Sequence, residues 1–195
     1  MTKRNKSCES EVMLTMQRKE LLKKSAIRHA EYYGMVEVQD ALYADSANKK
    51  IFTDLISIIG SDANIKMAYR NLKSNKGSNT PGVDGKTFKD LAEMSEEALV
   101  RCVRDKILNY QPKAVRRVYI PKPNGKMRPL GIPTVIDRIV QQSVLQVMEP
   151  ICEAKFYRHS YGFRPNRSTK NAVAVCYKLA QVDGFHYVVD VDIKG

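Results

Sequence analysis

Residues 114–132, AVRRVYIPKPNGKMRPLGI, leave little choice but a two-stranded antiparallel ribbon. From Ala114 to Pro121 the chain turns β-branched, with Val115, Val118 and Ile120, which favours a pleated strand. Pro-Asn-Gly at 123–125 is a hairpin turn signal, and the return strand runs from Met127 to Ile132. Between Lys113 and Arg128 stand six basic residues and no acid. Arg116 and Arg117 are strand neighbours and point to opposite faces, so only one of them can face a given ligand. Lys122 and Arg128 flank the turn. A ribbon with cations on one face suits phosphates, because arginine offers a fork of donors and lysine a mobile point charge. A solvated hairpin edge guarded by lysine is the alternative; the missing acids count against it.

Helical periodicity organises the rest. Residues 1–47 read as a polar, helix-rich arm. Ile51, Phe52, Leu55, Ile56 and Ile59 recur at helical spacing up to Gly60, and a second helix is expected from Asp62 to Ser74 with Ile65, Ala68, Tyr69 and Leu72 on one face. The stretch SNKGSNTPGVDGK (74–86), with three glycines and a proline, must be loop. A short helix follows, then a longer one from about Ser95 to Asn109 with Glu96 and Glu97 in its first turn. After the ribbon a helix is expected over 135–149, with Ile136, Ile139, Val140, Val144 and Val147 at helical spacing and Pro150 as its stop. A loop, SYGFRPNRS (160–168), leads to a helix from Thr169 to Leu179.

The net charge is +12, from 33 basic minus 21 acidic residues, and points to a polyanion, most simply nucleic acid. An anionic membrane surface and a merely soluble basic surface are the other readings. No run of 18 apolar residues exists to span a membrane. The first thirty residues are basic and lack an apolar h-region, which argues against a secretory signal. Cys8, Cys102, Cys152 and Cys176 lie far apart without zinc-ligand spacing. They read as free thiols of a reducing cytoplasm, packed as small hydrophobes.

Two further stretches carry chemistry. Arg158, Arg164, Arg167 and Lys170 alternate with Tyr157, Tyr161 and Phe163. Aromatics beside arginines stack on bases and hold a backbone; alternatively Tyr161 and Phe163 plug a loop core. The helix N-cap is Ser168 or Thr169, and its free N–H groups suit phosphate. The final stretch, HYVVDVDIKG (186–195), reads as a strand that leads into Asp192. Asp190 and Asp192, two residues apart, share a strand face. Carboxylates there suit Mg²⁺, which takes hard oxygen ligands, or they are simply solvated acids at a strand end.

Taken together, IPKPNGKMRPLGIPTVIDRIVQQSV (120–144), YGFRPNRSTKNAV (161–173) and VVDVDIKG (188–195) closely resemble the reverse transcriptase of group II intron-encoded proteins, the maturases. SNKGSNTPGVDGKTF (74–88) resembles the block upstream that separates these enzymes from retroviral ones. The resemblance runs from about residue 60 to the end, and the arm before it fits the family's N-terminal extension.

The resemblance implies a mixed α/β (α+β) chain of the right-hand polymerase kind. Residues 1–60 would be a helical N-terminal extension, 61–183 the fingers and 184–195 the first palm strand. It implies an RNA-directed DNA polymerase that copies intron RNA during retrohoming and assists splicing. Asp192 matches the first catalytic aspartate, a ligand of both Mg²⁺ ions (Mn²⁺ a substitute), with the Ile193 carbonyl a further ligand. Asp190 matches no catalytic position and reads as supporting. Arg116, Lys122 and Arg128 match the residues that hold the incoming triphosphate, with Lys126 less well matched. Gly82, Val83, Asp84 and Gly85 resemble the lid over the template, and Phe163, Arg164, Pro165 and Arg167 the block beside the nascent base pair.

The implied partners are group II intron RNA, an RNA template with a DNA or RNA primer, and dNTPs, with no membrane and with a homodimer left open. The implied location is the bacterial cytoplasm or nucleoid. The family's second carboxylate block, YADD, does not occur in these 195 residues; YADS at 43–46 lies in the helical arm and is not that block. The chain is therefore expected to be a portion of a longer protein. A non-catalytic splicing cofactor and a domesticated defence or CRISPR-associated reverse transcriptase are the alternatives.

Overall fold

The computed structural model describes residues 28–193. Most of the basic arm, Cys8 and the terminal Lys-Gly lie outside the described residues. The chain forms two compact units, parted between Ala154 and Lys155.

The larger unit is built on one long helix. In chain order its elements are helical residues 28–32, α1 (Val36–Ala47), α2 (Leu55–Ile59), α3 (Asp62–Lys73), a 3₁₀ turn (Lys76–Asn79), α4 (Phe88–Leu91), α5 (Glu96–Leu108), β1 (Arg116–Pro121), β2 (Met127–Ile132) and α6 (Val135–Glu153). Helices α1, α2, α3 and α5 all pack on α6. The expected apolar faces supply the core: Ile65 and Ala68 of α3, Val103 and Ile107 of α5, and Ile139, Val140 and Val147 of α6. Leu42 of α1 joins that same core, so the helices before residue 60 share it with those after. Ser61, Ser95 and Thr134 cap α3, α5 and α6, each side chain accepting from a backbone N–H three residues on. Ser46, part of the YADS tetrapeptide, is buried and donates to the Ile151 carbonyl at 2.8 Å.

Helix α6 departs from expectation. Pro150 does not end it: the helix runs on to Glu153. A proline inside a helix strips the carbonyl four residues earlier of its N–H donor. That carbonyl belongs to Gln146, and Gln39 Nε2 of α1 donates to it at 3.1 Å. The vacancy in the ladder is filled by a neighbouring helix, and the last turn survives.

The smaller unit, described by itself, holds the loop that follows residue 155 and α7 (Thr169–Gln181), capped by Ser168. The strand expected at 186–193 does not form: these residues have no regular secondary structure and are exposed. A strand needs a neighbour to take up its N–H and C=O groups, and no described segment pairs with this one. The cysteines also differ from expectation: Cys102 and Cys176 are exposed thiols, not buried hydrophobes.

Candidate nucleic-acid interface

The ribbon forms as expected, with Arg116 opposite Ile132 and Ile120 opposite Arg128. Its turn closes through Gly125 N–H to the Lys122 carbonyl (3.0 Å) and Lys122 N–H to the Lys126 carbonyl (2.8 Å). Gly125 sits at φ +77°, the left-handed position such a three-residue turn requires. Strand alternation carried through this register sets Arg116, Lys122, Lys126 and Arg128 on one face and Arg117 on the other. Lys122, Lys126 and Arg128 are exposed, and none has an acidic partner among the described residues. Arg116 is half-buried and Nε donates to the Pro81 carbonyl at 3.0 Å.

That last bond ties the ribbon to the loop at 74–88. The loop is held at several points. Arg138, in the first turns of α6, donates to the carbonyls of Pro133 (3.1 Å), Gly77 (3.0 Å) and Thr80 (2.5 Å). Gly82 is buried against α6: a Cβ there would stand 2.6 Å from Thr134 Cα. Beyond the loop, Thr87 and Asp90 cap α4 reciprocally, and those bonds hold the Asp90 carboxyl below the ordinary carboxylate range. Phe88 and Leu91 then sink into the core. What remains exposed is the tip, Val83, Asp84 and Gly85, with Gly85 at φ +72°. Of the four lid candidates, three are free to meet a ligand, while Gly82 is a close-approach point whose lack of a side chain lets the loop lie on α6.

Sequence reading missed Arg138. Burial pushes its pKa down; nearby Asp84 opposes that shift and Arg116 adds to it. The available signal was positional. A cation in the first turns of a helix sits against the macrodipole, and needs another reason to be there. Arg138→Ala is expected to free the loop. Amide exchange over residues 77–85 should quicken by about tenfold or more while the α6 core keeps its protection. Arg138→Lys should not rescue it, since a compact ammonium lacks the planar spread of three nitrogens by which the guanidinium reaches the three carbonyls. Unchanged exchange in the Ala variant would show that Gly82 and Arg116 alone hold the loop.

In the smaller unit the arginines work first on their own loop. Arg164 Nη1 donates to the carbonyls of Tyr157 (2.8 Å) and Ser160 (2.9 Å), with its guanidinium 5.1 Å from the Phe156 ring centre. Arg167 donates to the Arg158 carbonyl at 3.3 Å and lies 5.7 Å from the Tyr161 ring. Phe163 is fully exposed at φ +56°, a conformation that costs an L residue about 1–2 kcal/mol. It is no core plug: its ring lies in solvent. Pro165, between these residues, is exposed.

Asp190 and Asp192 are exposed on the irregular stretch after α7, as is Ile193. The described residues gather no group of three or more His, Cys, Asp or Glu able to hold a metal ion. Asp192 and the Ile193 carbonyl are hard oxygen donors of the right kind for Mg²⁺. By themselves they do not make a two-ion site.

Residues 120–195 match the family model described as Reverse transcriptase (RNA-dependent DNA polymerase). The chain is 51% identical over 108 residues to Protein YkfC of Escherichia coli (strain K12), covering 54% of this chain and 28% of that protein. It is 40% identical over 130 residues to the group II intron-encoded protein LtrA of Lactococcus lactis subsp. cremoris, covering 66% of this chain and 21% of LtrA. The chain is thus similar both to a reverse transcriptase family model and to a group II intron-encoded protein. A yeast relative, the putative COX1/OXI3 intron 1 protein of Saccharomyces cerevisiae, is 30% identical over 161 residues, 80% of this chain and 18% of that protein. The chain thus spans between 18% and 28% of the length of these relatives. The matched family segment begins inside β1 and takes in β2, α6, the 160–168 loop and Asp192. Among the described residues no helix is long and apolar enough to cross a membrane.

Proposed function

We propose that this chain supplies the N-terminal extension, the fingers and the start of the palm of an RNA-directed DNA polymerase encoded by a group II intron, one that copies intron RNA into DNA and assists splicing. One observation carries the reading: the ribbon gathers Arg116, Lys122 and Arg128 on one face and ties that face, through Arg116 and Pro81, to the loop at 74–88. Exposed cations without acidic partners among the described residues suit a triphosphate, and the loop tied to the ribbon through Pro81 carries an exposed Val83–Gly85 tip that would meet a template strand. Lys122 and Arg128 bind the incoming dNTP phosphates and offset their charge. Arg116 is partly spent on the loop, so its role is to fix ribbon and loop together as well as to meet phosphate. Phe163, presented by the Arg164 and Arg167 scaffold, offers a stacking face for a base. Asp192 contributes one carboxylate, and Ile193 its carbonyl, to a divalent-ion site that other carboxylates complete, with Asp190 supporting. A bound Mg²⁺ or Mn²⁺ would supply charge neutralisation for phosphoryl transfer.

Primer extension on an RNA template, by a full-length reverse transcriptase carrying these residues, tests the reading. Replacing Lys122 and Arg128 with alanine is expected to raise the dNTP KM about tenfold or more, the usual worth of a hydrogen bond to a charged group. RNA affinity should change far less. A fixed KM with a fall in RNA affinity would make the ribbon an RNA clamp and not a nucleotide site.

A further inference from the structure

One cavity of the larger unit runs against the charge of the chain. It has a volume of about 440 Å³ and opens between the start of α6, the C-terminal half of α5 and the tip of the 74–88 loop. Asp137, Asp105 and Asp84 line it, one from each of these segments. None of the three has an ion-pair partner among the described residues. The chain as a whole carries a net charge of +12, so unpaired acids gathered at one place need a reason.

Asp137 is the informative member. The residue is only 3% exposed. Its Oδ2 accepts from the Thr134 hydroxyl at 2.6 Å, and its N–H donates to the same hydroxyl oxygen at 3.2 Å. Oδ1 is also buried, and no described group donates to it. A buried carboxylate oxygen without a donor is costly, and native structures rarely keep one without a bound group to answer it. A water molecule would satisfy that oxygen but leave the buried charge unbalanced.

Charge and shape select the ligand. The described residues gather no group of three or more His, Cys, Asp or Glu able to hold a metal ion, and the cavity is far larger than one ion. An organic cation fits better. A guanidinium grips a carboxylate through both oxygens, and Asp137 offers only Oδ1 because Thr134 occupies Oδ2. An alkylammonium needs one oxygen per N–H and carries its three donors on a narrow stem. The chain's own cations do not supply that group. Lys106 Nζ donates to the Gln111 carbonyl and lies 5.1 Å from the Tyr110 ring centre. Lys113, also on the wall, is exposed and pairs with no described carboxylate. Arg138, which feels the charge of Asp84, is committed to its three carbonyls.

We infer that this cavity binds a primary alkylammonium group, which donates to Asp137 Oδ1 and is balanced by Asp105 and Asp84. The group belongs to a free polyamine or to the lysine side chain of a partner; the recognition chemistry is the same. The inference does not rest on the polymerase reading. Because Asp84 stands on the loop tip and Asp137 beside Arg138 on α6, an occupant adds a second tie between loop and helix.

Cys102, an exposed thiol on the cavity wall, reports occupancy. The test is a short iodoacetamide pulse on the full chain at constant ionic strength, mapped by mass spectrometry, with Cys176 of the smaller unit as the exposed control. The probes are putrescine, Nα-acetyl-lysine methylamide and tetramethylammonium. The two primary amines are expected to slow alkylation of Cys102 saturably and leave Cys176 alone; tetramethylammonium, which has charge but no donor, should do neither. Asp137→Asn is expected to raise the half-protecting concentration about tenfold or more, the worth of a hydrogen bond to a charged group. Asp105→Asn, at an exposed position, should raise it about threefold. Circular dichroism melts confirm that each variant folds. Stronger protection by putrescine names a free polyamine as the source, and stronger protection by the lysine amide names a partner's lysine; both support the site. Protection by neither amine, equal protection by tetramethylammonium, or protection indifferent to both substitutions would overturn the inference. Protection that appears only in Lys113→Gln would make that lysine the resident group, and would overturn it as well.

Discussion

Asp192→Asn in a full-length reverse transcriptase carrying this sequence is expected to cut primer extension by at least about 10³-fold, with RNA affinity unchanged within error. The substitution keeps the shape of the side chain and removes its charge. Asp192 is exposed and makes no described contact that holds the fold together, so loss of folding is not a competing explanation. Nor is it a cation that would hold an RNA phosphate. Synthesis and binding should therefore separate. A polymerase needs the carboxylate, whereas a pure splicing cofactor does not. Equal loss of synthesis and RNA affinity would mean that Asp192 acts in assembling the RNA-bound protein, and the assignment would fail. Full synthesis by the variant would place the essential carboxylates elsewhere. Asp190→Asn is the internal control: it carries the same charge change two residues away and is expected to cost far less.

Why some of this was legible in the sequence follows from how local each determinant is. The ribbon was readable because β-branched residues, a Pro-Asn-Gly turn and a strand period of two all lie within 19 residues. The helices were readable from spacing and from serine and threonine caps. The behaviour of Pro150 was not, because the donor that rescues its turn comes from Gln39, 107 residues away from the carbonyl it serves. Arg138 was opaque for the same reason: its acceptors at Gly77 and Thr80 lie about sixty positions upstream and are backbone atoms, which leave no mark in side-chain pattern. Phe163 and Tyr161 could not be sorted into plug or presented face by composition alone; the backbone at φ +56° and the full exposure decide it for Phe163. The tail at 186–193 has the composition of a strand, but composition cannot provide the neighbour that pairing requires.

Asn64→Leu is expected to destabilise the larger unit by about 3–5 kcal/mol, with the urea m-value unchanged. Asn64 is fully buried. Its Nδ2 donates to the carbonyls of Ile59 and Ser143, each at 2.9 Å, and its Oδ1 accepts from Gln146 Nε2 at 2.7 Å. Gln146 Oε1 accepts in turn from Asn71 Nδ2 at 3.0 Å, and Asn71 Oδ1 meets His29. One carboxamide chain thus joins α2, α3, α6 and the helical turn at 28–32. Leucine matches asparagine roughly in size but can neither donate nor accept, so several buried groups lose partners at once and none can turn to water. Asn64→Leu combined with Gln146→Leu should cost less than the sum of the two single changes, because the second substitution removes a group that the first has already orphaned. A loss under about 1 kcal/mol for the single variant would mean that water enters and satisfies the freed groups. The functional consequence follows from α6. Its middle carries Gln146, and its first turns carry Thr134 and Arg138, against which the 74–88 loop is held. Weakening the network should therefore lower the melting temperature and speed amide exchange of the loop together, while Arg138→Ala, which cuts only the clamp, should speed the loop alone.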